Sequence, residues 1–187
     1  ITVIPNAVQK VSNKAPGQHK NTTGQTHKFI TIARLSLQKG IERLIHAAGL
    51  LSIPFNYYII GEGTKKVALQ KLINELQLQE KVSLVGPKNN PFSGMEDADL
   101  FLMGSYYEGF PNVLLEAGAH GIPVVAFNAP GGIAEIITDN ENGLLVEDND
   151  IIAFAAAIKK ALGYNFDRHQ KIERTTNSFS VNSMMTA

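Results

Sequence analysis

Asp99-Leu100-Phe101-Leu102-Met103, then Gly104 to Pro111, then Asn112-Val113-Leu114-Leu115-Glu116-Ala117-Gly118-Ala119-His120, then Gly121-Ile122 and Pro123-Val124-Val125-Ala126-Phe127. This stretch reads as strand, loop, helix, turn, strand. The flanking runs are short and almost wholly apolar, which suits strands buried on both faces of a parallel sheet. Pro111 and Asn112 stand at the helix start, where Pro and a capping side chain belong, and Gly121 closes the helix. Two parallel strands joined through a helix form a βαβ unit, and such units build open sheets with helices on both faces.

The same alternation extends in both directions. Upstream, Phe29 to Ala33 is a strand, 34–39 a loop, and Gly40 to Leu51 a helix with Ile41, Leu44, Ile45 and Ala48 on one face. Phe55 to Ile60 is a strand ending at Gly61-Glu62-Gly63, Lys65 to Leu76 an amphipathic helix, and Val82 to Val85 a strand before Gly86-Pro87. Downstream, Ile133 to Ile137 is a short helix, Gly143 to Val146 a strand, and Ile151 to Leu162 a helix ended by Gly163. The chain opens with Ile1-Thr2-Val3-Ile4-Pro5-Asn6, a strand ending at a turn and the expected mark of a fragment boundary. Residues 9–27 are a polar loop and 164–187 a polar helical tail. Strand and helix alternate about six times, so the expected fold is α/β, a single Rossmann-like doubly wound parallel sheet over residues 1–163.

Composition narrows the function. The chain has 187 residues, one domain by length, with 17 basic and 17 acidic residues. That balance carries no electrostatic footprint for nucleic acid. It has no cysteine, hence no disulfide framework or thiolate metal site. No apolar run of about 18 residues and no signal-peptide pattern occurs, so a cytoplasmic setting is expected.

In doubly wound sheets, ligands bind at the carboxyl ends of the strands. The loops to inspect are therefore 34–40, 61–64, 86–92, 104–112 and 128–133. Glu108 precedes a helix and Glu116 lies one turn inside it. The helix start offers unpaired N–H groups and a positive dipole end, a site for phosphate. The two carboxylates can accept hydrogen bonds from hydroxyls, so the pair suits a ligand with sugar and phosphate. They read equally well as surface carboxylates favourable at a helix start. Arg34 and Lys39 could grip a diphosphate, although an isolated Arg/Lys pair is more often solvated. Pro130-Gly131-Gly132 allows close backbone approach to a ligand or is an ordinary turn. Asp97-Ala98-Asp99 matches a three-letter metal-binding pattern, but its second Asp opens an apolar strand and no metal is expected there. His46 and His120 read as packed or solvated. A dinucleotide-binding oxidoreductase would need a third glycine where Gly61-Glu62-Gly63 is followed by Thr64-Lys65-Lys66.

Ile4-Pro5-Asn6, Ala33-Arg34, Lys39-Gly40, Gly61-Glu62-Gly63, Gly86, Asp97 to Phe101, Ser105 to Ala117, Gly121 to Val125 and Asn142 to Val146 follow one another in the order seen in family 4 glycosyltransferases. The chain resembles the C-terminal, donor-binding half of these two-domain GT-B enzymes, in the subgroup that assembles bacterial surface polysaccharides and glycans. It departs from that subgroup at Pro130-Gly131-Gly132, where Ser-Gly-Pro is frequent. The resemblance implies retaining, metal-independent transfer from a nucleotide sugar, with UDP-hexose or UDP-N-acetylhexosamine foremost and no cofactor. The acceptor, a glycan or lipid-linked molecule, would bind a missing N-terminal domain towards which 164–187 would pack. That domain could also attach the protein peripherally to the inner face of the membrane.

By position, the resemblance implies that Arg34, Lys39 and Glu108 are the catalytic set, the two cations on the diphosphate and Glu108 on sugar hydroxyls. Gly109, Phe110, Pro111, Asn112 and Val113 would line the sugar and phosphate site, and Glu116 would hold the ribose. Gly86 and Pro87 would lie by the base, and Gly61 and Gly63 would wall the cleft. Two alternatives stay open: a non-catalytic nucleotide-binding module, and a GT-B nucleotide-sugar epimerase.

Overall fold

The computed structural model describes residues 25–164 and Phe166. The expected opening strand, most of the 9–27 loop and nearly all of the 164–187 tail lie outside the described residues. Six parallel strands form one sheet: β1 (His27–Ile32), β2 (Phe55–Ile60), β3 (Val82–Gly86), β4 (Leu100–Met103), β5 (Val124–Phe127) and β6 (Gly143–Val146). Their order is β3-β2-β1-β4-β5-β6. Five α-helices connect or flank them: α1 (Ile41–Gly49), α2 (Lys66–Glu75), α3 (Asn112–Ala119), α4 (Ile133–Ile136) and α5 (Ile151–Gly163).

Side chains alternate between two cores because strand periodicity is two. Phe29, Tyr57, Leu102, Val125 and Phe127 face one layer with Leu44, Ile45, Ile73 and Phe154 of α1, α2 and α5. Ile30, Ile60, Phe101, Met103 and Ala126 face the other, with Leu114 and Leu115 of α3 and Ile133 of α4. Strands β4 and β5 are buried along their whole length, which accounts for their unbroken apolar sequence.

β1 begins at His27, inside the stretch expected to be loop, because His27 and Lys28 pair with Phe55 and Asn56 of β2. β4 begins at Leu100, since the Asp99 N–H bonds the Lys28 carbonyl and the Asp99 side chain accepts from the Lys28 N–H at 2.7 Å. Asp97 pairs with the Lys28 ammonium. Both aspartates therefore tie β1 to β4 at the amino edge of the sheet, opposite the carboxyl ends of the strands.

The chain reverses its winding between β1 and β4. β1 pairs with β2 along all six residues, His27 to Ile32, but with β4 only at Phe29 and Ile30. Beyond Ile30 the Thr31 hydroxyl donates to the Leu102 carbonyl at 2.6 Å and meets the Tyr57 hydroxyl at 2.7 Å. The hydroxyl satisfies a carbonyl that a continued ladder would have engaged, and the strands part. A crevice opens between the β1 and β4 loops, whose following helices lie in opposite layers.

Candidate functional site

The crevice holds a small pocket open to solvent. Thr31, Ile32 and Ala33 line it from β1, Met103, Gly104 and Ser105 from the end of β4, and Lys39, Glu108 and Val113 from the loops and helix beyond. This is the topological switch point, where open α/β sheets bind ligands. At its polar side the Lys39 ammonium meets Glu108 Oε1 at 2.5 Å, and the Ser105 hydroxyl donates to the same oxygen at 2.6 Å. The Glu108 side chain is only 8% exposed, so the two donors offset the loss of water around its charge.

Each member is held by backbone. Lys39 closes a 3-10 turn, Leu37–Lys39, and Gly40 follows in the left-handed conformation at φ 54°. A Cβ at Gly40 would lie 1.9 Å from the Gly104 carbonyl oxygen. Only glycine permits the start of α1 to approach β4 this closely. Across the cavity, the Glu108 N–H donates to the Pro130 carbonyl at 3.0 Å and the Gly132 N–H to the Gly109 carbonyl at 2.9 Å. Gly131, at φ 113°, would place a Cβ 1.5 Å from the Glu108 backbone carbonyl oxygen. Pro130-Gly131-Gly132 thus braces the Glu108 loop.

Helix α3 starts beside this loop. Pro111 occupies its N-cap, Asn112 is its first residue, and no side chain caps it. The expected Asn112 cap does not form, because the residue sits one place too late to reach the free N–H groups. Its Oδ1 is buried without a partner. The start of α3 keeps its positive end open beside Glu108. Glu116 lies exposed farther along α3, where the surrounding protein displaces enough water to push its carboxyl above its ordinary value.

The other expected residues are dispersed along the carboxyl edge. Arg34 is exposed and does not line the cavity, although its neighbour Ala33 does. The Gly61 N–H donates to the Gly86 carbonyl at 3.0 Å, and the Leu35 N–H to the Glu62 carbonyl at 2.9 Å. The Gly61-Glu62-Gly63 turn therefore buttresses the loop carrying Arg34, with Gly63 directly against Leu35. Gly86 ends β3, and Pro87 and Lys88 are exposed beyond it. His120 stacks on Phe92 with ring centroids 4.5 Å apart, and burial lowers its basicity. His46 is exposed on α1. Among the described residues no three His, Asp or Glu side chains gather as a metal site, and no helix is long and apolar enough to cross a membrane.

Ser105, Thr31 and Arg43 belong to the site or its support without standing out in the sequence. Ser105 was visible as a hydroxyl three residues before Glu108. Thr31 and Arg43 carried no local signal: one is a β-branched residue in a strand, the other a charge within a helix.

The sequence matches the glycosyl transferases group 1 family over residues 16–178. The chain belongs to this family. It is 42% identical over 125 residues to the Campylobacter jejuni N-acetylgalactosamine-N,N'-diacetylbacillosaminyl-diphospho-undecaprenol 4-alpha-N-acetylgalactosaminyltransferase, covering 66% of this chain and 34% of that protein. Its fold superposes on the apo lipopolysaccharide outer core galactosyltransferase WaaB with TM-score 0.89 at 22% identity, covering 99% of this chain and 53% of that one. It also superposes on a Staphylococcus aureus TarM mutant in complex with Fondaparinux, alpha-GlcNAc-glycerol and UDP, with TM-score 0.81 at 28% identity over 96% of this chain and 37% of that one. The chain spans between a third and about half of these proteins. Its doubly wound, Rossmann-like sheet is a glycosyl transferases group 1 domain with the fold of these GT-B proteins.

Proposed function

We propose that this group 1 domain is the donor-binding half of a retaining, metal-independent glycosyltransferase. Its donor is a nucleotide sugar, UDP-hexose or UDP-N-acetylhexosamine, and its acceptor a glycan or lipid-linked molecule bound by a second domain. The protein works in the cytoplasm. The observation that carries the reading is the convergence of Lys39, Ser105 and Glu108 at the switch-point cavity beside the uncapped start of α3. The diphospho-undecaprenol named for the Campylobacter relative and the UDP bound to TarM support the acceptor and donor classes.

Transfer breaks the bond between the anomeric carbon and a diphosphate oxygen, so negative charge grows on the leaving nucleotide. Preorganised positive groups at that position lower the barrier. Lys39 and Arg34 supply charge, and α3 supplies dipole and N–H groups from Asn112 and Val113. An ammonium has three donors, so Lys39 can keep Glu108 while engaging a phosphate oxygen. Glu108 accepts from sugar hydroxyls, with Gly109 and Phe110 alongside, and Pro111 sets the helix start without needing a donor. Glu116 accepts from the ribose, and the base lies by Gly86 and Pro87 beyond the wall made by Gly61 and Gly63. Alone, the domain binds donor weakly and transfers nothing.

Calorimetric titration of UDP, GDP and ADP into the chain, beside Arg34→Ala and Glu116→Ala, tests this. One nucleotide binding, and weakening in both variants, supports the assignment. Absence of binding at millimolar concentration, in the chain and in the full-length protein alike, overturns it.

A further inference from the structure

Arg43 is 2% exposed, one turn beyond Lys39 on the buried side of α1. Burying a guanidinium is costly unless its donors are satisfied, and here they are. Nε donates to the Gly104 carbonyl at 2.6 Å and Nη2 to the Ser105 carbonyl at 2.5 Å. Nη1 donates to Asp148 at 2.6 Å and to Asn149 at 3.1 Å. The ring centres of Tyr106 and Phe127 lie 4.1 and 4.0 Å from Cζ, one from the loop after β4 and one from the end of β5. The two carbonyls Arg43 holds belong to Ser105, whose hydroxyl orients Glu108, and to its neighbour.

Two cations four residues apart thus hold one loop from opposite ends. Lys39 grips it at the Glu108 carboxylate, and Arg43 grips it at the backbone of 104–105. Building on the donor-site reading, we infer that Arg43 is a positioning residue for the donor sugar: anchored by Asp148, it fixes the Gly104–Ser105 backbone and so aims Ser105 and Glu108. The task demands arginine. A planar fork serves two carbonyls and a carboxylate at once while stacking between rings, which a lysine cannot reproduce. Loss of the fork leaves the phosphate-binding groups of α3 in place, because these are held by α3 itself.

The test uses the full-length protein with UDP and with UDP-N-acetylgalactosamine and UDP-glucose as probes. Arg43→Lys weakens the better-bound sugar nucleotide by about tenfold, the scale of one lost hydrogen bond to a charged group, and leaves UDP affinity unchanged. Glu108→Gln produces the same selective loss, and adding Arg43→Lys to it weakens binding no further. Asp148→Asn, at the more exposed end of the pair, gives a smaller selective loss and serves if Arg43→Lys does not fold. Equal weakening of UDP and sugar nucleotide, additivity with Glu108→Gln, or no change in either variant overturns the positioning role. If Glu108→Gln itself leaves sugar-nucleotide affinity intact, the donor-site reading fails, and the inference falls with it.

Discussion

Lys39 and Glu108, 69 residues apart in sequence, meet at 2.5 Å across the switch point of the sheet. The carboxylate is almost wholly buried, and its other side-chain partner is a neutral hydroxyl. Removing the ammonium leaves that charge under-compensated. Lys39→Met is expected to lower the unfolding free energy by about 2 kcal/mol and to abolish nucleotide binding. Denaturant unfolding and titration calorimetry check both; retained affinity would remove Lys39 from the site.

Glu116 should separate function from stability. Its raised pKa comes from desolvation, so its ionised form is disfavoured in the folded state. Between its ordinary value and the raised one the native state binds more protons than the unfolded chain, and stability falls as pH rises through that window. Glu116→Gln is therefore expected to unfold no more easily than the parent at pH 7. Its advantage vanishes below the ordinary carboxyl pKa of 4.5, while nucleotide affinity drops at neutral pH. Thermal melts at several pH values, beside the titration, read both.

Two glycines, one in each of the paired loops, should respond unequally. Gly131→Ala sets a Cβ against the Glu108 backbone at a positive φ, so the brace must shift, at a cost of about 2 kcal/mol or more, and donor affinity falls. A Cβ at Gly109 meets nothing within 4 Å, so Gly109→Ala leaves stability within about 0.5 kcal/mol. Comparable melting temperatures for the two would refute the bracing role.

Thr31→Val keeps shape and removes the hydroxyl that satisfies the Leu102 carbonyl and meets Tyr57. Both groups are then buried unpaired, costing about 3 kcal/mol. Tyr57→Phe deletes one partner and leaves Thr31 bonded to Leu102, so it costs about 1 kcal/mol. Equilibrium urea unfolding of the two variants should rank them in that order.

Local sequence determined the elements of this protein. Apolar runs in β4 and β5, helical spacing in α1 and α2, and the Gly and Pro punctuation between them report contacts within a few residues, and the structure departs from them by one or two positions. The ordered motifs from Ala33 to Val146 also carried the family, and with it the loops to inspect. The roles of particular side chains were decided by tertiary structure. Glu108 reads on its own as a surface carboxylate; Lys39 and Ser105, brought against it by the close approach of Gly40 to Gly104, make it a buried one. Asn112 reads as a cap and is not, because the helix begins at Asn112 itself. Gly131 reads as a turn and is a brace, since its partner lies 23 residues back. Arg43 has no local signature, for its acceptors come from β4's loop and from the segment after β6. Burial and long-range hydrogen bonding depend on which strands become neighbours, and that order, set by packing the two layers against one sheet, is encoded in no single stretch of the chain.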